Sequence, residues 1–300
     1  MNRLIRIILY ITAGCVGIGC AALILSFALG GGRQVWEEAG MVKRAADRVH
    51  EIADETKRQA QDAELYEGDY DEEVGLLTID ASSIQDLSIE LQHGSLEIEE
   101  SDDNLIQVSM VQEYNGITAN CEAGKIIIRD DRPGSSSRED AQIFLEIPEG
   151  MRFRNVNIQI DAGVLSQECG FEADKLTVNA DAGEIMLSEV TAGVLSASVG
   201  AGAMDIEDGV FDTATLNCGV GTMDMEGAIR GDTKIDCGMG AVNLELADGP
   251  NSVNYALRCG AGSIEIGDNT YSGLARESKL NNGASATFTL NCGMGVISID

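Results

Sequence analysis

The 300-residue chain is poor in proline, histidine, aromatic residues and positive charge. With 3 prolines, little in the sequence interrupts regular backbone. Aromatic residues make up 4% of the chain, which excludes a core built on large rings and leaves one of small and branched side chains. The two histidines, His50 and His93, are too few for a Cys/His zinc site, and no CxxC pair is present. Lys and Arg number 20 against 50 Asp and Glu, a net charge of −30. A surface that acidic repels nucleic acid and anionic head groups, so nucleic acid is excluded as a partner.

Glycine and short apolar residues are plentiful: there are 35 glycines and 8 cysteines. One long hydrophobic run stands at the N-terminus, from Ile7 to Leu29, preceded by Arg3 and Arg6. At 1.5 Å per residue it reaches about 34 Å, enough to cross a bilayer core. Residues 1–30 are therefore expected to be a transmembrane anchor, with membrane contact through residues 7–29. Cys15 and Cys20 lie inside the run as small apolar residues. The short basic tail favours an inside N-terminus and an extracellular C-terminal part, at a bacterial cytoplasmic membrane.

Residues 31–63 are predicted to form a helical stalk. Val35, Ala39, Val42, Ala46, Val49, Ala53, Thr56, Ala60 and Ala63 fall at alternating four- and three-residue steps, a narrow coiled-coil seam that permits self-association. Residues 64–75, ELYEGDYDEEVG, read as an acidic linker.

Beyond it the sequence repeats. Gly163, Gly183, Gly202, Gly221 and Gly240 are spaced by 19 or 20 residues, and Gly262 and Gly295 follow at longer steps. Two residues after each glycine stand Leu165, Ile185, Met204, Met223, Val242, Ile264 and Ile297. Five residues before it stand Ile158, Val178, Ala197, Leu216, Ile235, Leu257 and Leu290. Polar residues separate the apolar ones, which marks strands with one face buried on either side of a tight turn. Two residues before the glycine the column holds Asp161, Asp181, Gly200, Gly219, Gly238, Gly260 and Gly293; Asp and Gly share tolerance of positive φ, so a left-handed turn residue is expected there. Outlying copies of the motif centre on Gly94 and Gly124.

Three residues before the glycine, Cys218, Cys237, Cys259 and Cys292 take the place held by Ile160, Ala180 and Val199, with Cys121 in an outlying copy. They read as a reduced, buried thiol ladder. A unit this short cannot bury its own face, but stacked units can. The predicted fold is all-β, a single-chain β-solenoid with residues 76–150 as irregular first rungs and a cap and residues 151–300 as the regular stack. The seven glycines from Gly163 to Gly295 are its structural turn residues.

The stretch IPEGMRFRNVNIQIDAG at residues 147–163, followed by repeated [CAV]-[GD]-x-G-x-Φ-x-Φ units, resembles the bacterial β-strand-repeat family of the toastrack, adhesin-like type. The resemblance covers about residues 76–300. It implies a solenoid often joined to a membrane helix, an association with cell-envelope stress systems, an exported interaction module and no catalytic residues.

The GxG turns do not match a dinucleotide fingerprint, because Gly219-Val-Gly221 runs on into a strand and not a helix. No cofactor and no metal is expected. Asp205, Asp224 and Glu265 point outward from the strand after the turn and are the candidates for a carboxylate pair of a polysaccharide-cleaving β-helix enzyme; with no outward Lys, Arg or His recurring beside them, a solvated sheet face is the favoured reading. The reading from sequence is a non-catalytic, membrane-anchored cell-envelope scaffold or stress-sensing accessory with a protein partner. The alternatives are an adhesin or cell-wall glycan- or cation-binding module and, less favoured, the polysaccharide-cleaving enzyme.

Overall fold

The computed structural model describes residues 74–132, 141–272 and 276–300. The anchor, the stalk and all but the end of the acidic linker lie outside the described residues. Among the described residues no helix is long and apolar enough to cross a membrane, and the helical structure is one 3-10 turn, Ala81–Ser83.

The alternating columns form strands. In chain order these are β1 (Val74–Asp80), β2 (Asp86–Leu91), β3 (Ser95–Ser101), β4 (Leu105–Met110), β5 (Ile117–Glu122), β6 (Lys125–Asp130), β7 (Gln142–Pro148) and β8 (Met151–Ile160). There follow β9 (Val164–Gln167), β10 (Phe171–Ala180), β11 (Glu184–Ser188), β12 (Val190–Val199), β13 (Ala203–Cys218), β14 (Thr222–Ile229), β15 (Thr233–Cys237) and β16 (Ala241–Leu246). The last are β17 (Asn254–Cys259), β18 (Ser263–Ile266), β19 (Asn269–Ser272), β20 (Arg276–Leu280), β21 (Thr287–Cys292) and β22 (Val296–Ile299).

They stack into two parallel walls. One wall runs β6, β2, β8, β10, β12, the second half of β13, β15, β21 and β17. The other runs β7, β3, β9, β11, the first half of β13, β14, β16, β22 and β18. The protein is thus an all-β solenoid. Each GxG turn carries the chain from the first wall to the second, and the inward columns meet between them. Leu165, Ile185, Met204, Met223, Val242, Ile264 and Ile297 are all buried, as are Ile158, Val178, Ala197, Leu216, Ile235, Leu257 and Leu290. Gln167 is the polar member of one inward column. Its Oε1 accepts the Ser188 N–H (2.9 Å) and its Nε2 donates to the Ser188 carbonyl (2.9 Å), so the side chain continues the ladder where β9 ends.

Stack order departs from chain order at both ends. The last strands of the chain, β21 and β22, lie between β15/β16 and β17/β18. The early strands β2 and β3 lie between β6/β7 and β8/β9. This accounts for the long steps to Gly262 and Gly295 and for the irregular stretch after Gly94: the chain must build an outer rung before or after filling the inner one. Antiparallel strands close the stack. β5 pairs with β6, β4 with β7 and β1 with β4 at one end; β20 pairs with β17 and β19 with β18 at the other. An end rung of a solenoid has a single neighbour and frays first; here the first and last parallel rungs in chain order, β2/β3 and β21/β22, each have two.

Two expectations need correction. Gly124, at φ +77°, turns the antiparallel hairpin between β5 and β6 and is no rung turn, so half-buried Cys121 stands apart from the ladder. The glycines two positions before the repeat glycine do not have positive φ. Crowding selects them instead. A Cβ on Gly238 would stand 2.8 Å from the Gly219 carbonyl oxygen, and one on Gly240 would overlap the Gly221 carbonyl and stand 2.6 Å from Cys218 Sγ. Stacked turns lie backbone on backbone, and N–H groups reach down one rung: Ala241 to the Gly221 carbonyl, Val296 to Gly240, Ser263 to Gly295, each at 3.0 Å.

Three glycines separate contact from conformation. Gly240→Ala is expected to cost about 2–3 kcal/mol through overpacking of the turn. Gly249→Ala, with nothing within 4 Å but φ +72°, is expected to cost about 1–2 kcal/mol. Gly75→Ala, with open space and no positive φ, should stay within about 0.5 kcal/mol. Urea unfolding followed by circular dichroism measures all three, and a Gly240→Ala cost no larger than that of Gly75→Ala would contradict backbone stacking.

Candidate functional site

The turn edge of the solenoid brings most of the singled-out residues together. The seven repeat glycines lie in one column, in the spatial order Gly163, Gly183, Gly202, Gly221, Gly240, Gly295, Gly262. Beneath them the four ladder cysteines occupy adjacent rungs in the order Cys218, Cys237, Cys292, Cys259. The inserted C-terminal rung places Cys292 between Cys237 and Cys259 and leaves the row unbroken. All four are buried free thiols. Each Sγ donates to the carbonyl three residues on, Gly221 (3.1 Å), Gly240 (3.2 Å), Gly262 (3.2 Å) and Gly295 (3.1 Å). Cysteine is therefore more than a small apolar filler, because it adds a weak donor to a carbonyl that, at Gly221, Gly240 and Gly295, already accepts an N–H of the next rung. The neighbouring Cys218 thiol and burial push Cys237 up to about 12. Cys292 is raised by its Cys237 neighbour and by burial. Such groups stay protonated and are poor nucleophiles.

A groove of about 790 Å³ runs along this edge over the ladder rungs, with a largely apolar lining. Its floor includes the exposed glycines Gly200, Gly219, Gly238 and Gly293, and its rim holds Asn217, Asp236, Asn291 and Arg258. The rim charges are matched locally: Lys234 pairs with Asp236, Arg258 with Glu277 at 3.0 Å, and Asn291 Nδ2 donates to Asp236 Oδ1 at 2.7 Å. One residue on from the floor glycines stands a ridge of exposed apolar side chains, Val220 (38%), Met239 (39%) and Met294 (52%), on adjacent rungs. Large exposed apolar side chains are otherwise represented among the described residues only by Val194. The ridge was not foreseen from sequence, although the x of GVG and GMG carries it.

The outward carboxylates do not converge there. Asp205 and Asp224 are neighbours on adjacent rungs of the second wall. Glu265 is three rungs further, beyond Asn243 and Ser298. Asn243 Nδ2 donates to Asp224 Oδ1 at 2.6 Å. Glu184, one rung before Asp205, joins the group although sequence gave no sign of it. Burial and the charge of Asp205 push Glu184 up to about 7, and shielding by the surrounding rungs with the charges of Glu207 and Asp224 pushes Asp205 up to about 6, even though the Asp205 side chain remains exposed in area. The far end is held differently. Buried Asp130 pairs with buried Arg132 at 2.8 Å and accepts the Gln92 and His93 N–H groups at 3.2 Å. Burial pushes Asp130 up, but these hydrogen bonds outweigh it and hold the group below the usual range.

A family model described as Toastrack DUF4097 matches residues 71–288. The chain belongs to the Toastrack DUF4097 family. It is also similar to solved structures of bacterial proteins provisionally named adhesins. One from Bacteroides fragilis is 12% identical, with 76% of this chain and 97% of that chain covered and a TM-score of 0.41. A cell-adhesion protein from Clostridium sporogenes, also a provisional name, is 14% identical, with 76% and 97% covered and a TM-score of 0.35. One from Parabacteroides distasonis is 10% identical, with 76% and 96% covered and a TM-score of 0.38. No curated protein matches the chain.

The Toastrack carboxylates make a pH prediction. Glu184 and Asp205 bind their protons more tightly when folded than at their ordinary values of 4.5 and 3.8. Folding takes up protons in the window up to about 7 and about 6, so these groups weaken the fold as pH rises through it. Asp86 is held low by Arg154, and Asp130 is also low, so their contributions are lost only as pH falls below their ordinary 3.8. The protein should be more stable at about pH 5 than at about pH 7.5. Asp205→Asn should raise stability at the higher pH and shrink the difference, as thermal melts at the two pH values will show. An unchanged difference in the variant would count against the assignment.

Proposed function

We propose that this Toastrack protein is a non-catalytic cell-envelope scaffold that binds a protein partner through its turn edge. The carrying observation is the apolar ridge of Val220, Met239 and Met294 beside a locally neutral groove, on a chain of net charge −30. Exposed apolar strips rimmed by polar residues mark interaction surfaces. Methionine suits one that must adapt to its partner. Residues 7–29 anchor the protein in the bacterial cytoplasmic membrane, and the solenoid stands outside it, on the proposal that the short Arg3/Arg6 tail stays inside. A stress-sensing accessory role fits the same edge. The second reading, an adhesin or a cell-wall glycan-binding module, is favoured by the Asn217, Asp236 and Asn291 row on the groove rim. The largely apolar lining and the Asn291 to Asp236 hydrogen bond, which already occupies two of those groups, favour the protein partner.

Proximity crosslinking in intact cells with the full chain and with a Met239→Asp/Met294→Asp variant tests this. The expected outcome is a discrete protein crosslink, to a second copy of the chain or to another envelope protein, reduced several-fold by the variant, with thermal melting unchanged. Retained protein crosslinks in the variant, together with binding to isolated cell-wall glycan that Asn217→Ala abolishes, would replace the scaffold by the glycan-binding module.

A further inference from the structure

The turn edge changes character along the stack. At the position two before the repeat glycine the rungs of the N-terminal part carry Asp161 and Asp181, whereas the next five turns in space carry Gly200, Gly219, Gly238, Gly293 and Gly260. At the following position these turns carry Ala201, Val220, Met239, Met294 and Ala261, all exposed. Five consecutive turns therefore show no charged side chain at either position. At about 4.8 Å per rung the strip is about 20 Å long. Within it a raised row of Val and Met lies directly beside a row of bare glycine backbone that floors the groove. Knob and hole sit side by side on one surface, which is the condition for a self-complementary, isologous contact.

We infer that the partner of this strip is a second copy of the same chain, packed edge to edge and antiparallel about an axis that runs between the ridge and the glycine floor at the level of Met239. The inference rests on the interaction-module reading above and names its partner. Three features carry it. The rim charges are already paired within each copy, Lys234 with Asp236 and Arg258 with Glu277, so the strip offers a neutral surface and selects a neutral one. A cationic partner would be drawn to the acidic faces instead. The methionines of one copy match the bare-glycine floor of the other. Polarity is set by charge: a parallel pair would lay Asp161 and Asp181 of one copy beside those of the other, whereas the antiparallel pair sends them to opposite ends. In this arrangement each Met239 lies on the glycine floor of the other copy, so the two stand side by side across the axis, and Val220 comes level with Met294 of the second copy. The strip is narrow and falls short of the about 800 Å² per partner of a standard interface, so the contact is weak in dilute solution. Two copies held in one membrane gain the effective concentration that closes it.

Thiol crosslinking of the full chain in membranes tests this, with wild type as the background for the native cysteines. Met239→Cys should give a self-crosslinked dimer several-fold above wild type and above Val194→Cys, whose exposed side chain lies off the strip. Co-expressed Val220→Cys and Met294→Cys copies should crosslink to each other more strongly than either does to itself. Adding Met294→Asp to Met239→Cys should remove the dimer while leaving thermal melting unchanged. A Met239→Cys dimer no stronger than that of Val194→Cys overturns the inference. If Met239→Cys is instead captured by a different envelope protein, the self-association fails and the interaction-module reading survives. If it crosslinks to nothing, both fail.

Discussion

The fold depends on the contact between one GxG turn and the next. Successive turns lie so close that a Cβ on Gly202, Gly221, Gly240, Gly262 or Gly295 would collide with the carbonyl of the glycine one rung away. Across that gap the N–H after each glycine donates to the carbonyl below, so the backbone ladder continues through the turn. The contact fixes register, because a slip of one residue would put a side chain where only glycine fits. Register then aligns like with like: Leu216 with Ile235 and Leu290, Met223 with Val242 and Ile297, Cys218 with Cys237 and Cys292. A thin core with few aromatic residues suffices because every inward side chain packs against its counterparts above and below.

The same constraint shapes the surface. Glycine at the turn leaves a backbone floor open to solvent, and the residue between the glycines must point away from it. That residue is free to vary, and on three adjacent later rungs it is Val220, Met239 and Met294. The exposed ridge is thus a by-product of the turn geometry available for binding without disturbing the core. The ends are controlled as well. Parallel stacks expose unpaired edges that recruit further strands. Antiparallel β1, β4, β5, β19 and β20 close this one, while the first and last parallel rungs in chain order sit inside.

Much of this was legible in the sequence, because period-two alternation around a recurrent glycine determines which side chains face inward whatever the neighbour. The order of rungs was not. Tyr255 and Phe288, Leu257 and Leu290, and Cys259 and Cys292 are interchangeable in their columns, so either strand fits on β15. The long steps to Gly262 and Gly295 were the signs of the insertion. The Asp-or-Gly column suggested a left-handed turn because composition does not distinguish a demand on φ from a demand on space. The titration of Glu184 was hidden for a similar reason: its causes are burial between the rungs and then the charge of Asp205 on the adjacent rung, neither visible in the local pattern. The ridge was printed in GVG and GMG but required the turn to be seen pointing outward. The cysteine column was legible as buried, whereas its hydrogen bond to the glycine carbonyl needed coordinates.

The central claim is that the final rung of the chain is an interior rung of the stack. Hydrogen exchange resolved to single amides tests it directly. The amides of Leu290 and Ile297, in the inserted strands, are predicted to exchange as slowly as that of Leu216 in the middle of the stack and far more slowly than that of Tyr271 in edge strand β19. Exchange of Leu290 and Ile297 at the rate of Tyr271 would place the C-terminal rung at the edge and contradict the account.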